Sequence, residues 1–231
     1  MEKLGLEVLA AGFGLGLVWL FLARLRSGRA RHGLRGAYFS ACAQLFQRPV
    51  TAATPGGFPR LNGGYLGQRF DLQAVPDTLT FRKLPALWVL VTLPVPLPLR
   101  ATLDVMVRPT GVEPFSNFHT LDEQIAPPPG FPEDCALRSD HPSALPPHDL
   151  LAPHLGLFDN PHVKELVLSP KGLRITFLAE EANRGRYLIF RDAELGAVPL
   201  RPETLLPYLD ALLALQQDIL AQETAPERRT A

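Results

Sequence analysis

The hydrophobic pattern of the chain opens with one long apolar run, Leu4 to Ala23, in which Glu7 is the only charged residue. A bilayer core of about 30 Å needs about 20 apolar residues in a helix, which is the length of this run. Trp19 and Phe21 lie near its C-terminal end, and aromatic side chains favour the membrane interface. The sequence therefore predicts a single transmembrane helix, with residues 1–26 as the membrane anchor.

The charges on either side of this run predict its orientation. Only two positive charges, those of Lys3 and the α-amino group, precede the run, and the negative charge of Glu2 offsets one of them. Cytoplasmic flanks carry the excess of positive charge, so we expect the N-terminus outside and the C-terminal domain in the cytosol, at the inner (cytoplasmic) membrane. We also expect the basic residues after the run to contact anionic lipid headgroups; these residues are Arg24, Arg26, Arg29, Arg31 and Arg35.

A cleaved signal peptide is the alternative interpretation of the N-terminal run. Signal peptides carry positive charge before the apolar stretch and small residues at the cleavage site after it. Here the charge follows the stretch, and Ala23-Arg24-Leu25-Arg26 is a poor cleavage site. The pattern favours an uncleaved anchor.

Gly12 and Gly16 are four residues apart inside the run and so share one face of the predicted helix. Such a notch of small residues lets two membrane helices approach closely. Glycine is also common in membrane helices without such a role. If the notch is used, the partner is a second copy of the chain or another transmembrane subunit.

Residues 27–48 show apolar positions at three- and four-residue spacing, including Leu34, Tyr38, Ala41 and Leu45. This spacing predicts a juxtamembrane amphipathic helix. Its apolar face would pack on the following domain or lie in the interfacial layer of the membrane, and core packing is the favoured alternative. Residues 49–64 are rich in Pro and Gly, which predicts a turn-rich linker.

Residues 65–222 alternate between strand-like and helical patterns and predict one α+β domain. Strands are expected over residues 65–75, 78–82, 86–93, 99–107 and 135–138, and a three-stranded meander over 163–190. A short helix is expected over residues 149–158, and a longer one of about five turns begins at Arg201. The polar residues 223–231 predict a disordered tail. The fold class is thus α+β, a transmembrane helix followed by a cytosolic domain of antiparallel strands with flanking helices.

Composition narrows the classes of partner. The formal net charge is zero, so nothing attracts the whole chain to nucleic acid. Two cysteines, Cys42 and Cys135, do not make a disulfide framework and are expected to be reduced in the cytosol.

A group of histidines in the middle of the chain raises the question of a metal or haem site. His141, His148 and His154 lie close to Cys135 in sequence, and imidazole and thiolate are ligands for zinc or iron. Their spacing matches no known ligand pattern, and the sequence favours solvated loop histidines and no cofactor. A Cys135–histidine nucleophile pair has no local signature to support it.

The run Gly63-Gly-Tyr-Leu-Gly-Gln-Arg69, followed by alternating strands, resembles bacterial single-span, membrane-anchored proteins of unknown function. In those proteins a Gly-aromatic-x-Gly-x-Arg run opens an α+β domain. The resemblance implies no activity and no catalytic residues.

The sequence as a whole predicts a non-enzymatic accessory or assembly subunit of a larger membrane complex. The alternative is a membrane-tethered module, an enzyme included, that binds a ligand or metal through the Pro- and His-rich segment 127–162.

Overall fold

The structure, a computed structural model, describes residues 2–78, 84–190 and 193–227. At residues 2–11, 24, 25, 27, 29–32, 190 and 224–227 it describes the backbone alone. The predicted strand 78–82 therefore lies almost wholly outside the described residues, as do the last four residues of the predicted tail.

Within the described residues, nine antiparallel strands form a single sheet in the order β1-β2-β3-β4-β9-β8-β5-β7-β6. Their bounds are β1 Gln47–Ala53, β2 Pro59–Tyr65, β3 Gln68–Asp77, β4 Ala86–Leu93, β5 Leu103–Val107, β6 Glu123–Ile125, β7 Cys135–Ser139, β8 Val163–Ser169 and β9 Gly172–Glu181. The α-helices are α1 Glu2–Gly36, α2 His148–Leu151, α3 Arg184–Phe190 and α4 Pro202–Glu227. The predicted α+β class, with antiparallel strands and flanking helices, is confirmed.

One face of the sheet carries the main hydrophobic core. Successive strand side chains point to opposite faces, and the apolar set of each strand faces the same side; it includes Leu72, Val91, Leu103, Leu166, Ile175 and Phe177. Helix α4 covers this face with Leu205, Leu209 and Leu212, and Tyr208 stacks on Phe177 with 4.2 Å between ring centroids. Since α4 has 26 residues, it makes about seven turns, two more than the sequence predicted. It includes residues 223–227 of the predicted tail.

Helix α1 is continuous over 35 residues and ends at Gly36. The predicted juxtamembrane helix 27–48 is therefore divided: its first part belongs to α1, and turns and a 3₁₀ helix, Cys42–Leu45, follow. Two glycines, Gly33 and Gly36, lie where α1 ends and explain why the helix does not continue. The expected packing on the domain is confirmed, because Tyr38, Phe39 and Cys42 are fully buried in the main core.

No helix in the part of the chain that the structure describes is long and apolar enough to cross a membrane. The predicted span, residues 4–23, lies in α1, and its first eight side chains are outside the described residues.

The predicted linker 49–64 is instead the edge hairpin of β1 and β2. Pro49 fits because β1 is an edge strand, where a missing N–H costs no ladder bond. Gly63 lies within β2. A Cβ there would lie 2.6 Å from Cβ of Phe46, so this strand position requires glycine. These residues suggested turns, but Pro49 lies in an edge strand and Gly63 allows the close contact with Phe46.

Two parts of the predicted meander are correct and one is wrong. Strands β8 and β9 form the expected hairpin around Pro170 and Lys171. Residues 187–190 are not a third strand but part of α3, whose start is capped by Asn183, since Asn183 Oδ1 accepts the Arg186 N–H at 3.0 Å. The position beside β9 is already taken by β4.

The other predicted elements are confirmed with shifted ends. Strand β5 begins four residues later than expected, whereas β4 and β7 match closely. The predicted helix 149–158 is α2 followed by a 3₁₀ helix, Ala152–Asp159. Two further short 3₁₀ helices, Phe118–Thr120 and Pro142–Ala144, lie in the irregular segment that includes β6 and β7.

Candidate functional site

The second face of the sheet carries a row of polar side chains that crosses adjacent strands in register. The register pairs Asp71 with Thr92, Thr92 with Arg174, Arg174 with Val167, and Val167 with Asp104. Directly paired residues of neighbouring strands share a face. Four of these five side chains are polar, and they lie on the face that α4 does not cover.

Glu165 is the centre of a buried hydrogen-bond network on this face. Its Oε2 accepts a bond from Thr176 Oγ1 at 2.9 Å and one from Arg174 Nη2 at 3.2 Å. Its Oε1 accepts a bond from the hydroxyl of Ser116. All three partners donate to the Glu165 carboxyl group, and the Arg174 guanidinium supplies the opposite charge beside it.

Asp104 is a second carboxyl group beside Glu165, and it is only 2 % exposed. Burial, and next the nearby charge of Glu165, raise the pKa of Asp104 to about 8, while Arg174 acts in the opposite direction. A hydrogen bond to Glu165 contributes to the same rise. The raised pKa favours the protonated form of Asp104, which then donates this hydrogen bond to Glu165.

Two buried polar atoms of this cluster have no partner among the described residues: Oδ1 of Asp104 and Nε of Arg174. One is an acceptor and the other a donor. An unmet buried polar group costs about 1–3 kcal/mol. Native proteins satisfy nearly all such groups, with water or a ligand where protein atoms do not suffice.

These side chains form the floor of an open cavity of about 590 Å³. Thr92, Asp104, Val167 and Arg174 come from four adjacent strands of the sheet. The walls are formed by the segment before β6, by residues beside β5 and β7, and by the β8–β9 turn; they include Asn117, Thr120, Thr102, Asp140, Ser169 and Lys171. A cleft of this size is within the range of small-molecule sites.

The segment 108–121 covers the rest of the polar face and is fixed there by a buried ion pair. Lys164 Nζ lies 3.2 Å from Glu113 Oε1, with both side chains more than nine-tenths buried, and it also donates to the Arg108 carbonyl. A β-bulge at Lys164 lets both this residue and Glu165 serve the second face. Phe115 and Phe118 complete a small apolar cluster there with Leu90 and Met106.

The histidines of the alternative metal site are not brought together. His154 Nε2 lies 2.8 Å from Asp218 Oδ2 on α4, His148 packs against the ring of Phe131, and His141 bonds Ser143. Among the described residues no group of three or more His, Cys, Asp or Glu side chains could hold a metal ion. Burial, and next the charge of Asp134, raise the pKa of Cys135, which opposes the thiolate that a metal or a nucleophile needs.

The predicted membrane residues have different surroundings along α1. Around Gly12 and Gly16, no described atom lies within 4 Å of the position of an added Cβ. Arg26 is exposed, and the side chains of Arg24, Arg29 and Arg31 lie outside the described residues. Arg35 contacts the domain instead: its Nε donates to the Leu195 carbonyl at 3.3 Å, and its guanidinium lies 5.4 Å from the centre of the Phe58 ring.

The sequence did not single out Asp104, Glu165 or Arg174 as site residues. Strand alternation placed Asp104 and Arg174 on the polar side of their strands, which was the available signal. Their proximity depends on the strand order β9-β8-β5, in which β5 pairs with a strand some sixty residues later. A local pattern does not contain that pairing.

Comparison with known proteins adds no relative. No protein-family model, no curated protein and no solved structure matches this chain.

Proposed function

We propose that the protein is a membrane-anchored accessory or assembly subunit, in which residues 4–23 lie in the bilayer and the nine-stranded domain is held at the cytosolic surface. The observation that carries this proposal is the apolar surface of α1. Every residue from 12 to 22 is exposed, including Phe13, Leu17 and Phe21, and Trp19 is 67 % exposed.

Exposure on all sides of a helix distinguishes this surface from an ordinary docking face. An amphipathic helix buries one stripe and presents polar residues on the other side. Residues 12–22 are apolar or glycine around the whole circumference. Monomeric proteins in water rarely expose apolar patches larger than a few hundred Å². Lipid is the occupant that covers all sides of such a helix at once, and the arginines that follow favour a nearby anionic surface.

The base of α1 is fixed to the domain, which supports a role in holding that domain at the membrane. Leu200 N donates to the Tyr38 carbonyl at 2.8 Å, and the Cys42 thiol lies 3.1 Å from the Leu200 carbonyl. Burial, and next the charge of Glu203, raise the pKa of Cys42 to about 12. These contacts fix the turns that directly follow α1 to the core of the domain.

We expect the full chain to sediment with membranes, to resist an alkaline wash and to be released by detergent. Replacing Phe13 and Leu15 by Asp should shift most of the protein out of the membrane fraction, because each charge near a bilayer centre costs about 3 kcal/mol. Fractionation and immunoblotting measure both results. The matched control is Val112→Asp, at an apolar residue that is 89 % exposed on the domain, and it should leave the distribution unchanged.

Two results would contradict this proposal. One is unmodified protein that remains in the supernatant after cell breakage, and the other is a mature chain that begins after residue 23. Digestion of the domain by protease added outside intact cells would reverse the proposed orientation.

The accessory role predicts that another membrane helix docks on the Gly12 and Gly16 face. Replacing both by Leu should reduce co-purification of the partner, or of a second tagged copy, by several-fold in mild detergent, since close backbone approach would be blocked. Gly14→Leu is the matched control, because Gly14 points to a different side of the helix. If the double variant retains its partners as the control does, the notch has no part in assembly.

A further inference from the structure

We propose that the cavity above Asp104 and Arg174 binds an uncharged, hydroxyl-rich ligand, a sugar or a polyol. This inference does not depend on the membrane anchor. It rests on the residues at the floor of the cavity, on its charge and on the chemistry of its walls.

The floor of the cavity presents one acceptor and one donor that the described protein atoms leave unmatched. Oδ1 of Asp104 is the acceptor, since the proton of this carboxyl group is shared with Glu165. Nε of Arg174 is the donor. A hydroxyl group is both a donor and an acceptor. A ligand with several hydroxyl groups can therefore donate to Asp104 and accept from Arg174.

The charges around the cavity favour an uncharged ligand. Arg174 is paired with Glu165 at 3.2 Å, and Lys171 and Asp140, two other lining residues, carry opposite charges. Asp104 contributes no charge in its protonated form. An added anion would face Asp140, whereas an added cation would face Lys171. A neutral polar molecule meets neither repulsion.

The walls suit a molecule with many hydroxyl groups and some C–H surface. Four lining residues carry hydroxyls, namely Thr92, Thr102, Thr120 and Ser169, and Asn117 adds an amide. Leu121, Pro170 and Leu173 provide apolar area between them. At about 590 Å³ the cavity has room for a small carbohydrate.

The test is a titration of the purified full chain in detergent with glucose, maltose, trehalose and sorbitol, followed by calorimetry and by ligand-detected magnetisation transfer. Inorganic phosphate and ethylamine are the anion and cation arms. We expect saturable binding of at least one neutral compound and none of the two ions. Saturation by phosphate or ethylamine with no response to the neutral compounds, or no saturation at all, would overturn the proposal.

Variants locate the site. Arg174→Met should weaken binding of the neutral compound at least about tenfold, the loss expected when a hydrogen bond to a charged group is removed. Asp104→Asn should retain binding, because its amide can donate to Glu165 while its oxygen still accepts, and Asp104→Leu should lose it. Glu123→Gln, on an exposed residue of β6 outside the cavity, is the control. If Arg174→Met does not fold, Thr92→Val is the deciding variant, because it keeps the shape of the side chain and removes the hydroxyl. Unchanged binding in Thr92→Val would contradict the proposed site.

Discussion

Gly172→Ala is expected to destabilise the domain by about 3–5 kcal/mol, although it adds a single methyl group. A Cβ at this position would lie 2.2 Å from the Leu93 carbonyl oxygen, 3.0 Å from Val95 N and 3.1 Å from Pro94 Cα. All three are backbone atoms, so the strain is not relieved by a side-chain rotation. The φ angle of Gly172, +139°, adds a backbone cost of about 1–3 kcal/mol for any other residue, and overpacking adds a similar amount.

Thermal unfolding of the full chain in detergent measures this effect as a midpoint lowered by roughly 10 °C, at about 2–4 °C per kcal/mol for a domain of this size. The matched control is Gly67→Ala, in the β2–β3 turn. Gly67 also has a positive φ, +82°, but no described atom lies within 4 Å of its Cβ position. It should lose only about 1 kcal/mol, the cost of the backbone conformation alone. Equal losses in the two variants would mean that the contact with Leu93 and Val95 is unimportant.

The sequence predicts those parts of this fold that depend on local periodicity. The run of seven apolar residues and Thr92 predicts strand β4, and this strand lies inside the sheet with most of its side chains buried. The β8–β9 hairpin was recognised from the Pro and Gly around its turn, and Gly172 meets a real conformational requirement there. Helix α4 was recognised from leucines at three- and four-residue spacing, because one face of it covers the core.

The incorrect predictions, the linker and the third strand of the meander, have physical causes that the sequence alone does not reveal. Gly63 and Pro49 read as turn residues, but Gly63 makes room for Phe46 and Pro49 occupies an edge strand. Residues 187–190 have a strand composition, yet β4 already pairs with the edge of β9 that they would need. In both cases tertiary contacts overrode the local preference.

The candidate site was predictable only in part. Alternation assigned Asp104 and Arg174 to the polar face, which is correct. It could not bring Glu165, from the strand between them, to the same cluster, because that depends on the pairing of β8 with β5, which is distant in sequence. The histidine group, the alternative metal site, shows the reverse case. His148 and His154 are near in sequence but have separate partners, since closeness along irregular turns does not set the direction of side chains.

Glu113→Ala is the second change with a large expected effect, again about 3–5 kcal/mol of lost stability. It removes the carboxylate 3.2 Å from Lys164 Nζ and leaves the ammonium group in a site where its side chain is only 7 % exposed. Breaking a buried ion pair on one side costs this much because the remaining charge is desolvated. The segment 108–121, which this pair holds over the polar face, should also exchange its amide hydrogens faster than in the unmodified protein.

A paired replacement separates the charge effect from the loss of packing. Glu113→Leu combined with Lys164→Met removes both charges while filling much of the same space, so it should recover most of the stability that Glu113→Ala loses. Glu123→Ala, at an exposed glutamate, should change stability by no more than about 0.5 kcal/mol. Urea unfolding of the full chain in detergent compares the four proteins. If the double variant is as unstable as Glu113→Ala, the cost comes from lost packing or from other bonds of these side chains, and the loss of the Glu113–Lys164 ion pair does not explain it.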